Sequence, residues 1–182
     1  MNSLRPVLCV VLLSICATAF AQSDAQKPVA QSEAQKSFDR MKTLAGSWEG
    51  RVTTDMPQAA AAVEKTPMKV SIRATSRGNA LLHEMTSAGS PDDPITMFYL
   101  EGDRLLLTHY CDAGNRPRMA ATTSPDGRTV KFDFLDIAGS NLQQHMQHAA
   151  FTFIDADHHT EDWTFMMNDK PIHAHFDLRR AK

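Results

Sequence analysis

Glu161-Asp-Trp-Thr-Phe-Met-Met-Asn-Asp-Lys-Pro-Ile-His-Ala-His-Phe176 is the stretch that decides how this chain folds. Apolar and polar side chains alternate on both sides of Asn168-Asp169, the period of two of a strand with one buried face. Asn and Asp tolerate the positive φ that a two-residue hairpin turn requires. Such a turn sets Met167 opposite Lys170, Phe165 opposite Ile172, Trp163 opposite Ala174 and Glu161 opposite Phe176. Trp163, Phe165, Ile172, Ala174 and Phe176 then share the inner face. His173 and His175 alternate with that set and point outward, beside Thr164 and Asp162.

The same alternation runs back to Ser47, with turn residues at short intervals. Ten strands are predicted, at 47–54, 67–76, 79–87, 95–101, 104–111, 117–123, 128–137, 144–154, 159–167 and 171–180. Ser76-Arg77-Gly78-Asn79, Glu101-Gly102-Asp103 and Ser124-Pro125-Asp126-Gly127 are further tight-turn sequences. Longer connections fall at Met56 to Thr66 and Ala88 to Pro94. No connection leaves room for a crossover helix, so the predicted fold is all-β, an up-and-down antiparallel meander. A meander of this length loses its exposed edges by closing into a barrel; a two-sheet sandwich is the alternative. Phe38, Met41 and Leu44 recur at helical spacing and predict a short helix, about 33–44, before the first strand.

Arg5, the apolar run Val7 to Ala17 and the small residues of Ala19-Phe20-Ala21 read as a cleavable export signal over residues 1–21. The expected location is periplasmic or extracellular. Leu13-Ser14-Ile15-Cys16 loosely resembles a lipobox, with bulky Ile15 where a small residue is usual. Residues 22–36, rich in Gln, Ala, Ser and Lys, read as a flexible leader and 37–182 as a single domain. Cys9 and Cys16 leave with the signal, so Cys111 has no intrachain partner. A net charge of -2 without basic clusters argues against nucleic acid as a partner, and no later run is long and apolar enough for a spanning helix.

Leu105-Leu-Leu-Thr-His-Tyr-Cys-Asp-Ala-Gly-Asn-Arg-Pro-Arg-Met119 gathers His109, Cys111 and Arg118 around one turn. Leu105, Leu107, His109 and Cys111 form the inner set of their strand. Reading the Ser124–Gly127 turn as a type I turn with a glycine bulge pairs Ser124 with Arg128, which places Arg118 opposite Phe134 and therefore inside. His145 and Gln147 share a face with Phe151 and Phe153, so His145 is also expected inside. Strand ends alternate between rims, which collects His109, Cys111, Arg118, Asp136 and His145 at one end and Trp48, Glu161 and Arg180 at the other.

Leu44-Ala-Gly46-Ser-Trp48-Glu-Gly50 resembles the Gly-x-Trp start of the lipocalin-like (calycin-type) barrels, and Phe176-Asp-Leu-Arg179-Arg180 resembles their last strand. The resemblance implies a ligand-holding barrel in which Gly46, Trp48 and Arg180 are structural and an arginine packs across the Trp; alternation selects Arg180. Thr108-His-Tyr-Cys111 with Gly114-Asn-Arg-Pro-Arg-Met119 resembles uncharacterised secreted bacterial domains of this type. Pro171-Ile-His173-Ala-His175-Phe176 is similar to the haem-ligating strand of nitrobindin, but Arg51-Val52-Thr53 departs from that family's glycine-rich start, and an outward His175 is on the wrong face for a ligand inside.

A cavity lined by His109, Cys111, Arg118, Phe134, Asp136 and His145 suits a small apolar or amphipathic molecule, with Arg118 receiving an acidic group. The competing readings are a haem or metal protein and an envelope-associated structural or interaction domain. His109 and Cys111, about 7 Å apart along a strand, are too far for direct contact without bending, so an enzyme is disfavoured. Zinc or copper on His109, Cys111 and His145 is chemically possible, but the spacing matches no recognised metal signature; neither cofactor nor metal is expected.

Overall fold

The computed structural model describes residues 30–56, 60 and 65–182; the export-signal reading lies outside them, as do most of the expected leader and the middle of the connection expected at Met56 to Thr66. Among the described residues one helix precedes ten strands. Ser32 caps α1 (Glu33–Lys42), its hydroxyl accepting from the Gln35 N–H at 3.2 Å, and Phe38 and Met41 on one face are buried. The strands are β1 (Gly46–Thr54), β2 (Met68–Thr75), β3 (Ala80–Ser87), β4 (Ile95–Glu101), β5 (Arg104–Tyr110), β6 (Asn115–Thr123), β7 (Thr129–Gly139), β8 (Gln144–Asp155), β9 (His158–Met167) and β10 (Lys170–Arg180).

Each strand pairs antiparallel with its neighbour in sequence, and β1 pairs with β10 to close the barrel. The predicted fold class is the observed one. Asn168 and Asp169 both adopt positive φ, 51° and 63°, and the pairings Met167↔Lys170, Phe165↔Ile172, Trp163↔Ala174 and Glu161↔Phe176 are all present.

The seam between β1 and β10 explains the glycines of the Gly-x-Trp-x-Gly start. Gly46 has φ +142°, and a Cβ there would lie 2.4 Å from Nη1 of Arg180. At Gly50 a Cβ would meet the Asp177 carbonyl oxygen, so only glycine lets the closing strand approach.

Three irregularities change which side chains face inward. Thr129 N–H bonds to the Ser124 hydroxyl and Ser124 N–H to the Thr129 carbonyl, so the β6–β7 turn pairs Ser124 with Thr129 rather than with Arg128. Thr123 then meets Val130, Ala121 meets Phe132 and Met119 meets Phe134. Met119, not Arg118, is the buried residue opposite Phe134. Beyond it Leu135 is unpaired, a bulge after which Arg118 lies opposite Asp136. In β8 a second bulge at Gln147 reverses the alternation. Gln144 and Met146 turn toward the interior, and His145 leaves the face shared by Ala149, Phe151 and Phe153.

Candidate functional site

The two ends of the barrel are built differently. Phe38, Met41 and Leu44 from α1 and its exit join the buried core, and Arg40 lies over the Phe153 ring at 4.4 Å. Trp48 donates its indole N–H to the Leu44 carbonyl at 2.8 Å and packs edge-on against the His159 ring. Arg180 lies over the indole at 4.2 Å, the contact expected from strand alternation, adding roughly 0.5–2 kcal/mol as a cation–π pair. The same guanidinium donates to the carbonyls of Ala45 and Ala156 and to the Asp157 carboxylate, tying the helix exit to the β8–β9 turn.

Next to this plug lies a buried polar cluster that the sequence reading did not assemble. Glu161, fully buried, accepts from Nε2 of His83 at 3.1 Å, Nε2 of His159 at 3.0 Å and the Trp163 indole at 2.9 Å. Burial pushes the Glu161 pKa up, and the charges and hydrogen bonds of His83 and His159 more than reverse it, leaving it well below the usual carboxylate range. The signal was present: His83 shares a face with Leu81 and Met85, and His159 with Glu161 and Trp163. The partners were missed because no local motif joins β3 to β9, which meet only across the barrel.

The opposite end holds an open cavity of about 610 Å3. Val52, Trp163, Phe165, Ile172, Ala174 and Phe176 give it an apolar floor and wall. Met56, Met68, Met85, Met146 and Met167 supply thioethers, which reshape easily around a guest. His109 and Cys111 both line it, as the inner set of β5 implied. His109 is 2% exposed; its Nδ1 bonds to the Thr96 hydroxyl at 2.8 Å, while Nε2 has no partner among the described residues. Burial, with a smaller contribution from the nearby His83 charge, lowers its pKa to about 3, so the imidazole is neutral at physiological pH.

Cys111 is half-buried, and its thiol pKa is pushed up, first by burial and then by the Asp92 and Asp112 carboxylates. It is a thiol rather than a thiolate, and the His109 Nδ1 belongs to Thr96, so the pair lacks the geometry of an activated nucleophile. Asp92, Cys111 and Asp112 present ligand-type atoms within 4.8 Å of one another at the cavity rim.

The remaining candidates lie elsewhere. Arg118 is on the outer surface in a bidentate pair with Asp136, 2.8 Å from Nε to Oδ1, with Glu101 at 3.4 Å. The expectation that Arg118 lines the interior is corrected: the longer β6–β7 turn puts Met119 inside and Arg118 outside, and the Leu135 bulge turns Asp136 out opposite it. Asp136, expected at the same rim, is its partner, and both are outside. His145 packs at a 45° tilt against Phe134 with ring centroids 4.8 Å apart and bonds through Nε2 to Gln147 at 2.9 Å. Neither His145 nor Phe134 lines the cavity, so His109, Cys111 and His145 do not converge on a common metal position. His173 and His175 point outward, to Thr164 and Asp162.

No family model matches the chain, and no curated protein does. Among solved structures, Rv2717c from M. tuberculosis is similar over 80% of this chain and 98% of its own, with 13% identity and a TM-score of 0.57. A protein of unknown function of the DUF3598 family, from Nostoc punctiforme PCC 73102, matches 80% of this chain and 99% of its own at 8% identity and a TM-score of 0.24. At such identities the likeness to Rv2717c is a likeness of fold, a closed antiparallel barrel, and carries no activity with it.

Proposed function

We propose that the protein is an exported, lipocalin-like carrier or sensor of a small, largely apolar molecule held in the open end of the barrel. The observation that carries this reading is the 610 Å3 cavity, walled by apolar and thioether side chains and containing one buried polar atom, His109 Nε2, without a protein partner. A buried, unsatisfied imidazole nitrogen costs stability, and it belongs to a residue that lines the cavity. The Gly-x-Trp start and the Arg180 clamp support the lipocalin-like assignment, and the apolar run before Ala21 supports export. Metal-free acyl chemistry on Cys111 has no support in the arrangement of its neighbours.

The test is extraction of the natively purified protein with organic solvent and mass spectrometry, followed by displacement of a fluorescent apolar probe. Saturable probe binding that Met146→Trp abolishes, with near-ultraviolet circular dichroism retained, is the expected result. A Soret band in the purified protein would replace this reading with haem, and probe binding unaffected by the filled cavity would place the binding elsewhere.

A further inference from the structure

The charges around the cavity are one-sided. Among the described lining residues there is no Lys or Arg, and Asp92 and Asp112 are the carboxylates. Arg118, the cation that the sequence placed inside, is spent on Asp136 at the outer surface. No cationic side chain among the described residues forms an ion pair with Asp92 or Asp112. The two lie in the β3–β4 and β5–β6 connections at the same rim, with the Cys111 thiol in the same cluster. The carboxylates alone would be an ordinary acidic rim. What makes them part of a site is the cavity below them, where His109, 98% buried, presents an unpartnered Nε2 among the same lining residues.

We infer that the cavity takes a cationic amphiphile, its apolar body against Trp163 and the methionine wall and its ammonium group at the mouth between Asp92 and Asp112. This rests on the ligand-binding reading above and adds the charge of the ligand to it. An anionic head at the mouth would meet two carboxylates and no countercharge, a like-charge placement that costs binding strongly. An ammonium there removes the mutual repulsion of the two acids. The state of Asp92 agrees: burial first, then the Asp112 and Asp93 charges, raise its pKa above the ordinary value, so its negative charge is held at a cost that a cation relieves. His109 cannot supply the missing positive charge, since it is neutral at any pH well above 3. The thioethers accommodate chains of differing shape without a change in the charge preference of the rim.

The experiment is calorimetric titration of the protein with three probes of one chain length, dodecyltrimethylammonium, dodecanol and dodecanoate, each below its aggregation threshold and at low and high salt. The ammonium should bind about tenfold tighter than the alcohol at low salt, with dodecanoate the weakest, and the gap should narrow at high salt. In the Asp92→Asn/Asp112→Asn double variant the three affinities should converge, while dodecanol binds as it does to the wild type. Asp112→Asn alone, at an exposed position, provides the same comparison with a smaller effect if the double variant folds poorly. Equal binding of all three probes by the wild type, or a preference that survives the double substitution, overturns the charge assignment and leaves the cavity a ligand site. Binding of none of them overturns both.

Discussion

The closed end of the barrel ties most of its polar groups to one another, with Nδ1 of His83 and of His159 left without partners among the described residues, whereas the open end lines a cavity with two carboxylates and the unpartnered, buried His109 Nε2. At the closed end Arg180 donates to two carbonyls and a carboxylate, Trp48 to Leu44, and Glu161 accepts from three donors. At the open end His109 Nε2 and the Asp92–Asp112 pair have no such partners, and five methionines line the walls beside Val52, Ile172 and aromatic side chains. One end is thus built to hold the barrel shut, and the other is where the proposed guest is assigned. Both lie on the same ten strands, so the difference is made by which inward positions carry which residue, not by topology.

The largest test of that contrast is Glu161→Gln. The amide keeps the size but removes the charge that His83 and His159 face, and it cannot accept from three donors at once. Breaking a fully buried network of this kind should cost about 3–5 kcal/mol, read as a lower urea midpoint with an unchanged slope. The cavity-filling Met146→Trp should change stability far less. If the two substitutions cost the same, the ends do not divide the work of stability and binding. The Glu161 contribution also has a definite pH window. A depressed carboxylate pKa gives stability that is fully present above the unfolded value of 4.5 and is lost as pH falls through the lower folded value.

The smaller, separable effect belongs to His109. Its folded pKa of about 3 lies below the unfolded 6.5, so the unfolded chain takes up a proton first. The stability this group contributes is therefore complete above pH 6.5 and is lost as pH falls toward 3, by up to about 1.4 kcal/mol per pH unit. Between pH 6.5 and 4.5 this precedes the Glu161 window. Denaturant unfolding of wild type and His109→Gln across that interval should give a wild-type curve that falls more steeply than the variant's. Parallel curves would mean that the imidazole reaches solvent or a counterion, and the open end would then be wetter than its burial implies.

How much of this was legible in the sequence depended on where each constraint sits. The β9–β10 register followed from Asn168-Asp169, because a two-residue turn fixes every pair after it. The Trp48–Arg180 contact followed from motif and alternation together. The inward faces of His109 and Cys111 needed only the period of two. Arg118 and His145 failed for one physical reason: a single extra residue reverses every face beyond it, and neither the four-residue span between Ser124 and Thr129 nor the bulges at Leu135 and Gln147 has an unambiguous local signature. The Glu161 cluster failed differently, since alternation marked its members as inward while only closure of the barrel brings β3 against β9.

The smallest expected effect is also the one that checks the corrected register. Arg118→Met removes a cation from an exposed bidentate pair with Asp136, with Glu101 nearby and solvent able to hydrate what is left. Surface pairs of this sort contribute little because the ions are well solvated apart, so the melting temperature should stay close to the wild type's. If Arg118 were inside, its removal would strand an acceptor or abolish anion binding, and both would be plain in a paired thermal-shift and probe titration. Unchanged affinity for dodecanol and dodecanoate, together with an unchanged melting temperature, is the outcome the outer-surface position requires. A weakened dodecanoate response would return Arg118 to the cavity and with it an acidic ligand. That would reverse the charge preference assigned to the open end, because a guanidinium beneath Asp92 and Asp112 would neutralise the rim they form.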